Sequence, residues 1–285
     1  MQGGKPADVE FENLDDGALS VDAVAREAAQ LAAEGPSRER IAELAGGQAL
    51  LSIENLSAGY GKMEILHGIN LQVAAGQSLC LIGPNGAGKS TVLHSIYGFT
   101  RIFGGGIRID GQDVTRLTPN QKLKRAGIAY ILQDNSVFPD MSVEENLWMG
   151  GYLMEDPHQT KEAAERVFAK YDRLAKRRHQ PARVLSGGER RLLEISRALV
   201  MNPRVLLVDE PSIGLEPRYI DMVFDILGEL QKQEGKAIIM VEQNAKKGLE
   251  FSDIGYVLVS GSVAMADSGG ALLRNPDVGR LFLGG

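Results

Sequence analysis

A single cysteine, Cys80, excludes a disulfide framework, and its place inside an apolar run predicts that it packs as a small hydrophobe. No stretch approaches the roughly 18 consecutive apolar residues of a membrane-spanning helix. The first twenty residues lack both the basic start and the apolar centre of a secretory signal, carrying Asp8, Glu10, Glu12, Asp15 and Asp16 instead. A net positive charge is also missing. Residues 1–49 hold ten of the 37 acids but only four of the 31 bases, which leaves the rest of the chain neutral. A neutral body has no electrostatic footprint for nucleic acid. These absences predict a cytoplasmic protein that does not bind nucleic acid. With 285 residues and ordinary hydrophobic content, the chain has ample material for a globular core.

The most informative stretch is Gly83-Pro84-Asn85-Gly86-Ala87-Gly88-Lys89-Ser90-Thr91, which follows the apolar run Leu79-Cys80-Leu81-Ile82. Two glycines five apart followed by Lys and Ser form the phosphate-binding-loop pattern. Its glycines let backbone N–H groups converge on phosphate oxygens. Lys89 reaches the β and γ phosphates as a point charge, Ser90 is placed to bind Mg²⁺, and a helix starting near Lys89 adds its positive end. A random chain of this length shows the pattern only about 1% of the time, and here it stands between a buried strand and a helical stretch, as the motif demands. The expected ligand is a nucleoside triphosphate.

Residues 1–20 read as loosely attached or disordered. Helical spacing from Val21 to Ala32 ends at Gly35-Pro36, and Ser37 can cap a second short helix carrying Ile41 and Leu44. Both apolar faces are thin, so residues 1–49 are expected to form an acidic, weakly helical or disordered extension, a solvated tail rather than a docking pair. From residue 50 the texture changes. Leu51–Leu56, Gly68–Val73 and Gly106–Asp110 alternate like half-buried strands and imply an antiparallel layer. Buried strands are predicted at Gly127–Leu132, ending at Gln133, at Val205–Val208, ending at Asp209, and at Ala237–Val241, ending at Glu242. Residues 142–182 are mostly helical and charged. Strands alternating with helices predict a mostly parallel sheet covered on both faces.

Two further segments carry chemistry. Asp209-Glu210 sit at the carboxyl end of a strand, where open α/β sheets bind ligands. Asp209 can hold Mg²⁺ with the loop serine, and Glu210 can polarise a water for attack on the γ-phosphate. Leu185-Ser186-Gly187-Gly188-Glu189 opens a helix, offering a hydroxyl and free backbone donors to a second anion. The same residues also fit a capping box, with Ser186 as N-cap and Glu189 three positions on.

Tyr60, the phosphate loop, Gln133, Leu185–Glu189, Asp209-Glu210-Pro211-Ser212 and Gly214-Leu215 occur in the order found in ATP-binding-cassette (ABC) ATPases, and residues 50–285 resemble that family from end to end. Val143-Glu144-Glu145-Asn146-Leu147, Glu210–Pro217, Val241-Glu242-Gln243-Asn244-Ala245 and Leu283-Gly284-Gly285 resemble the LivF-type subunit of branched-chain amino-acid importers. The resemblance implies an α/β P-loop NTPase core with a mostly parallel sheet, an antiparallel β subdomain and an α-helical subdomain at about 134–200. It implies that Tyr60 stacks on adenine, that Gln133 reaches Mg²⁺ and the attacking water, and that Ser186, Gly187, Gly188 and Glu189 contact the γ-phosphate held by a second subunit in a head-to-tail dimer. Residues 212–217 would link the two sites of that dimer.

Gln243 stands where most of the family has a histidine at the γ-phosphate. Its amide can donate to a phosphate oxygen but cannot shuttle a proton, which shifts the base role to Glu210. Glu189-Arg190-Arg191 replaces the commoner glutamine after the glycines and resembles the lipopolysaccharide-exporting ABC ATPase. Residues 1–49 have no counterpart in a typical member. The resemblance further implies ATP hydrolysis coupled to transport on the inner face of the cell membrane. Its implied partners are membrane permeases, a second ATPase subunit (paralogue or self) and, indirectly, a solute-binding protein. Apolar Val137, Phe138, Pro139 and Met141 are the expected permease contacts. An exporter ATPase is the alternative, and a non-transport ABC ATPase a remote one, since residues 91–185 lack the sustained heptads of DNA-acting relatives.

Overall fold

The computed structural model describes residues 35–133 and 136–282. In chain order the elements are α1 (Arg38–Leu44), β1 (Leu51–Tyr60), β2 (Met63–Val73), β3 (Ser78–Ile82), α2 (Lys89–Tyr97), β4 (Arg101–Ile109), β5 (Gln112–Asp113), α3 (Pro119–Ala126) and β6 (Ile128–Ile131). Then come the helices α4 (Val143–Gly150), α5 (Pro157–Lys170), α6 (Asp172–Ala175) and α7 (Gly187–Leu199). The last part alternates as β7 (Val205–Asp209), α8 (Pro217–Lys232), β8 (Ala237–Val241), α9 (Ala245–Phe251), β9 (Ile254–Val259), β10 (Ser262–Ser268), α10 (Gly269–Arg274) and α11 (Pro276–Phe282).

Six strands form one sheet in the order β10-β9-β3-β8-β7-β6, parallel except for the β10 edge. Alternate residues of its central strands feed two cores. Leu79, Leu81, Val205, Leu207, Ile239 and Val241 pack on the side of α2 and the second sheet. Cys80, Ile82, Leu206, Val208, Ile238 and Met240 pack on the side of α4, α7 and α8. Cys80 is buried there, as its sequence context predicts, and burial pushes its thiol pKa up. The second sheet, ordered β2-β1-β4-β5, is antiparallel throughout. Its strands run longer than the alternating stretches suggest: β2 begins at Met63 and β4 at Arg101.

Two features depart from the sequence reading. The β9–β10 hairpin was not foreseen, although β9 is buried along its whole length and its turn, Ser260-Gly261, takes φ of 46° and 78°. The helix α1 is capped by Ser37 as expected, but it is not a solvated tail. Ile41 joins the core beneath the antiparallel sheet with Leu44 packed against it, Ala45 is buried, Arg40 pairs with Asp267 at 2.6 Å, and Gln77 donates to the Leu44 carbonyl at 3.0 Å. A thin apolar face is enough when a sheet edge receives it. The helical spacing at 21–32 and the terminal Leu283-Gly284-Gly285 lie outside the described residues.

Candidate functional site

The parallel strands end on one edge, and the loop after β3 wraps there into α2. Gly83 has φ 144°, and a Cβ on it would lie 2.1 Å from the Leu258 carbonyl oxygen, so β9 permits only glycine at the start of the loop. Pro84, Asn85 and Gly86 form the exposed arch of the loop, while Ala87, Gly88 and Thr91 are buried beneath it. Lys89 folds back over the arch and donates to the carbonyls of Gly83 at 2.8 Å and Pro84 at 3.0 Å. Burial pulls its ammonium below the usual lysine pKa, while Glu210 and Asp209 act in the opposite direction. No side chain caps the α2 N-terminus, whose N-cap residue is Gly88. A free helix start beside a lysine is an anion cradle.

The acidic segment converges on this loop. Ser90 Oγ donates to Asp209 Oδ1 at 3.2 Å, and Gln133 Nε2 donates to Glu210 Oε2 at 2.9 Å. Glu210 takes φ 44°, a conformation that non-glycine residues rarely adopt, with its N–H held by the Val241 carbonyl at 2.8 Å. A hydroxyl, a carboxylate and an amide are hard oxygen donors of the kind Mg²⁺ accepts when phosphates and water complete its shell. Among the described residues no cluster of three or more His, Cys, Asp and Glu offers an all-protein metal cage. Tyr60 lies 41% exposed at the end of β1, with its hydroxyl bonded to His94 Nδ1. Gln243 is exposed at the end of β8 and has no side-chain hydrogen bond among the described residues, unlike Gln133.

Ser186 and Glu189 share no recess with the phosphate loop, although Gly187 lines one of about 510 Å³ together with Gln133, Arg191 and Leu215. Ser186 Oγ accepts from the Glu189 N–H at 3.3 Å, and the Glu189 carboxylate accepts from the Ser186 N–H at 2.9 Å, a completed capping box. Gly188 is required by packing, since a Cβ there would meet the Tyr219 ring at 2.1 Å. Ser186 and Glu189 line a recess of about 380 Å³ with Arg173, Arg218, Tyr219 and Met222, none of them from the phosphate loop.

Four supporting residues escaped the sequence reading. Tyr130 donates its hydroxyl to Asp209 Oδ2 at 2.8 Å, and His94 holds Tyr60. Buried Arg191 donates to the Leu132 carbonyl and to Glu194, both at 2.8 Å, tying α7 to the segment that carries Gln133. Buried Glu242 accepts from the Ser212 hydroxyl at 2.7 Å and fixes the segment after Glu210. Only the clustering of Arg191 beside the Ser186 loop and of Glu242 beside Gln243 offered a signal for any of them.

The ABC transporter family profile matches residues 66–213. The chain is 41% identical to the high-affinity branched-chain amino acid transport ATP-binding protein BraG of Pseudomonas aeruginosa, over 83% of this chain and 100% of that protein. It is 35% identical to the probable branched-chain amino acid transport ATP-binding protein LivF of Archaeoglobus fulgidus, over 82% and 99%. The lipopolysaccharide export system ATP-binding protein LptB of Haemophilus influenzae is 31% identical, over 83% and 98%. The crystal structure of a nucleotide-free ATP-binding cassette from an ABC transporter superposes with a TM-score of 0.73 at 26% identity, covering 82% of this chain and 98% of that one. With its phosphate loop, acidic strand end and relatives matched along their whole length, the chain belongs to the ABC transporter family as an ATP-binding, ATP-hydrolysing subunit.

Proposed function

We propose that this subunit energises the import of branched-chain amino acids or a related amino acid or amide. The pairing of Gln133 with Glu210, beside Ser90 on Asp209, carries the mechanism. The 41% identity to the P. aeruginosa branched-chain amino acid protein carries the cargo class. Lys89 and the loop N–H groups neutralise the β and γ phosphates, and Tyr60 offers its open ring face to adenine. Ser90, Asp209 and Gln133 are the residues that would hold Mg²⁺. The ion, when bound, offsets charge on the phosphate oxygens. Glu210, with Gln133, orients the water in line with the γ-phosphorus and takes its proton. Gln243 donates a hydrogen bond to the γ-phosphate.

The Ser186 recess lies on other walls than the phosphate loop, which supports a head-to-tail dimer in which Ser186–Glu189 of one subunit close over nucleotide held by the other. The subunit then works at the inner face of the cell membrane, and no helix among the described residues is long and apolar enough to cross it. A recess of about 310 Å³ lined by Tyr97, Phe138, Met149, Tyr152 and Arg197 fits a permease segment. Phe138, Met149 and Tyr152 are all exposed there, and Arg197 lies 5.4 Å over the Phe138 ring. Solute capture by a separate binding protein completes the system.

Glu210→Gln should lower phosphate release by at least about 100-fold while ATP-induced dimers persist on size-exclusion chromatography. An unchanged rate would remove Glu210 from the base role. A lipid-exporter reading draws on the LptB similarity and on Glu189-Arg190-Arg191. Co-purification from membranes separates the two, by recovering either an amino-acid permease or a lipid-export permease.

A further inference from the structure

Four rings, those of His94, Tyr97, Phe99 and Tyr130, pack between Tyr60 and the Asp209 carboxylate. The His94 ring meets Tyr60 at 6.1 Å and 79°, Tyr130 at 5.8 Å and 69°, and Phe99 at 5.8 Å and 70°. Tyr97 joins Phe99 at 5.0 Å and Tyr130 at 5.5 Å. Two side-chain hydrogen bonds accompany these rings. One is the hydrogen bond between the Tyr60 hydroxyl and His94 Nδ1; the other is the Tyr130 hydroxyl on Asp209 Oδ2. Burial pulls the His94 pKa down, against a smaller opposing pull from the Asp209 charge.

From this we infer that His94 and Tyr130 are positioning residues for the two ends of the bound nucleotide, His94 fixing the Tyr60 ring and Tyr130 fixing the Asp209 carboxylate. A carboxylate on one hydrogen bond rotates broadly about its last torsion. Asp209 has both oxygens engaged, Oδ2 by Tyr130 and Oδ1 by Ser90, so the oxygen that would face a cation is already aimed at the loop serine. Outer-shell partners of this kind typically change metal affinity 10- to 100-fold. At the other end, a half-exposed tyrosine would swing without a partner for its hydroxyl. Tied to α2, its ring keeps a fixed position relative to the phosphate loop that begins the same helix.

The inference rests on the ATP and Mg²⁺ reading of the site, and its test separates the two. Binding of a fluorescent ATP analogue to the full chain is titrated in EDTA and in Mn²⁺, with bound Mn²⁺ counted by electron paramagnetic resonance. Tyr130→Phe keeps the ring and removes only the hydroxyl. It should need about tenfold more Mn²⁺ for saturation while its EDTA affinity stays within twofold of wild type. His94→Phe should weaken binding about fivefold already in EDTA, and His94→Asn, which returns a polar atom near Nδ1, should restore most of it. Tyr130→Phe is judged by the ratio of its own two affinities, in which loss of folded material cancels, and His94→Phe by whether His94→Asn recovers its affinity. A purely structural aromatic cluster would lower the melting temperature, leave the Tyr130→Phe ratio at the wild-type value and give His94→Asn no recovery over His94→Phe, which would overturn the inference. If wild type itself gains no affinity from Mn²⁺, the metal-site reading falls. If wild type gains it and Tyr130→Phe matches wild type, the inference alone falls.

Discussion

The phosphate loop and the Ser186 loop are both glycine-rich and both run into helices, and they finish those helices in opposite ways. At the phosphate loop the N-cap is Gly88, no side chain covers the first turn, and Lys89 stands beside it. At Ser186 the helix start is sealed by its own side chains, and the group on its first turn is the carboxylate of Glu189. The first end is built to take an anion without help. The second is complete without a ligand and presents one negative charge, so an anion must come with enough additional contact to displace or bypass the cap. That contrast fits a division of labour in which one loop binds nucleotide in the single subunit and the other acts only on a nucleotide carried in by a partner.

The largest expected effect tests this division directly. Lys89→Ala should reduce ATP affinity of the isolated chain about 10- to 100-fold, since charge-assisted contacts to two phosphates are lost. Ser186→Arg should leave that affinity within twofold and still stop hydrolysis, by filling the recess where the partner's nucleotide would seat. Equilibrium dialysis with ATP and a phosphate-release assay, run on both variants, provide the comparison. Loss of ATP affinity in Ser186→Arg would merge the two loops into a single site and break the contrast.

The two loops were not equally legible in the sequence. The phosphate loop and the Asp209-Glu210 strand end carry their chemistry in contiguous residues, and the structure brings them together at Ser90 and Asp209. The Ser186 loop, taken by itself, read as a helix cap before it read as an anion site, because one residue pattern serves both uses, and the isolated chain displays the cap. The supports were harder still. Tyr130 sits 79 positions from Asp209, and Arg191 59 positions from Leu132. A tyrosine inside an apolar strand reads as core until a neighbouring strand places a carboxylate beside its hydroxyl. The β9 strand was missed because Gly255 and the Ser260-Gly261 turn bound a short apolar run with no helix before the next strand. The Ile41 helix was underrated because its few apolar residues pair with a sheet edge more than 20 positions away.

The far end of α2 sharpens the comparison on a smaller scale. Lys122 from α3 is fully buried and donates to the carbonyls of Ser95 at 3.3 Å and Ile96 at 2.5 Å, placing a cation at the helix C-terminus. Burial brings its pKa down to about 8 from 10.5. Below pH 8 it is protonated in both folded and unfolded chains. Between about pH 8 and 10.5 the unfolded chain holds the proton and the folded chain releases it, so stability rises with pH across that window. Lys122→Met should lack this rise, seen as the difference between variant and wild-type denaturation midpoints at pH 7.5 and pH 10. Parallel profiles would mean that Lys122 keeps its proton in the fold, and that the helix carrying Lys89 is anchored by a permanent charge.

The smallest effect bears on Glu189 itself. Its carboxylate accepts the Ser186 N–H and lies 3.6 Å from Arg177 Nε, so it is only partly compensated. Glutamine at the same position still completes the capping box, which makes Glu189→Gln a removal of charge rather than of the cap. A charge at a helix N-terminus is worth about 0.3–1 kcal/mol, which corresponds to roughly two- to fivefold in an equilibrium. On the Glu210→Gln background, where ATP is retained, Glu189→Gln should therefore lower the ATP concentration at half-maximal dimerisation by about two- to fivefold. ATP affinity of the monomer should not move, because the phosphate loop is untouched. The gain should shrink toward nothing near 1 M salt, where screening acts within about 3 Å. A midpoint that ignores both the substitution and the salt would mean that the carboxylate swings clear of the incoming phosphate. The second loop would then act through Ser186 and its backbone donors alone.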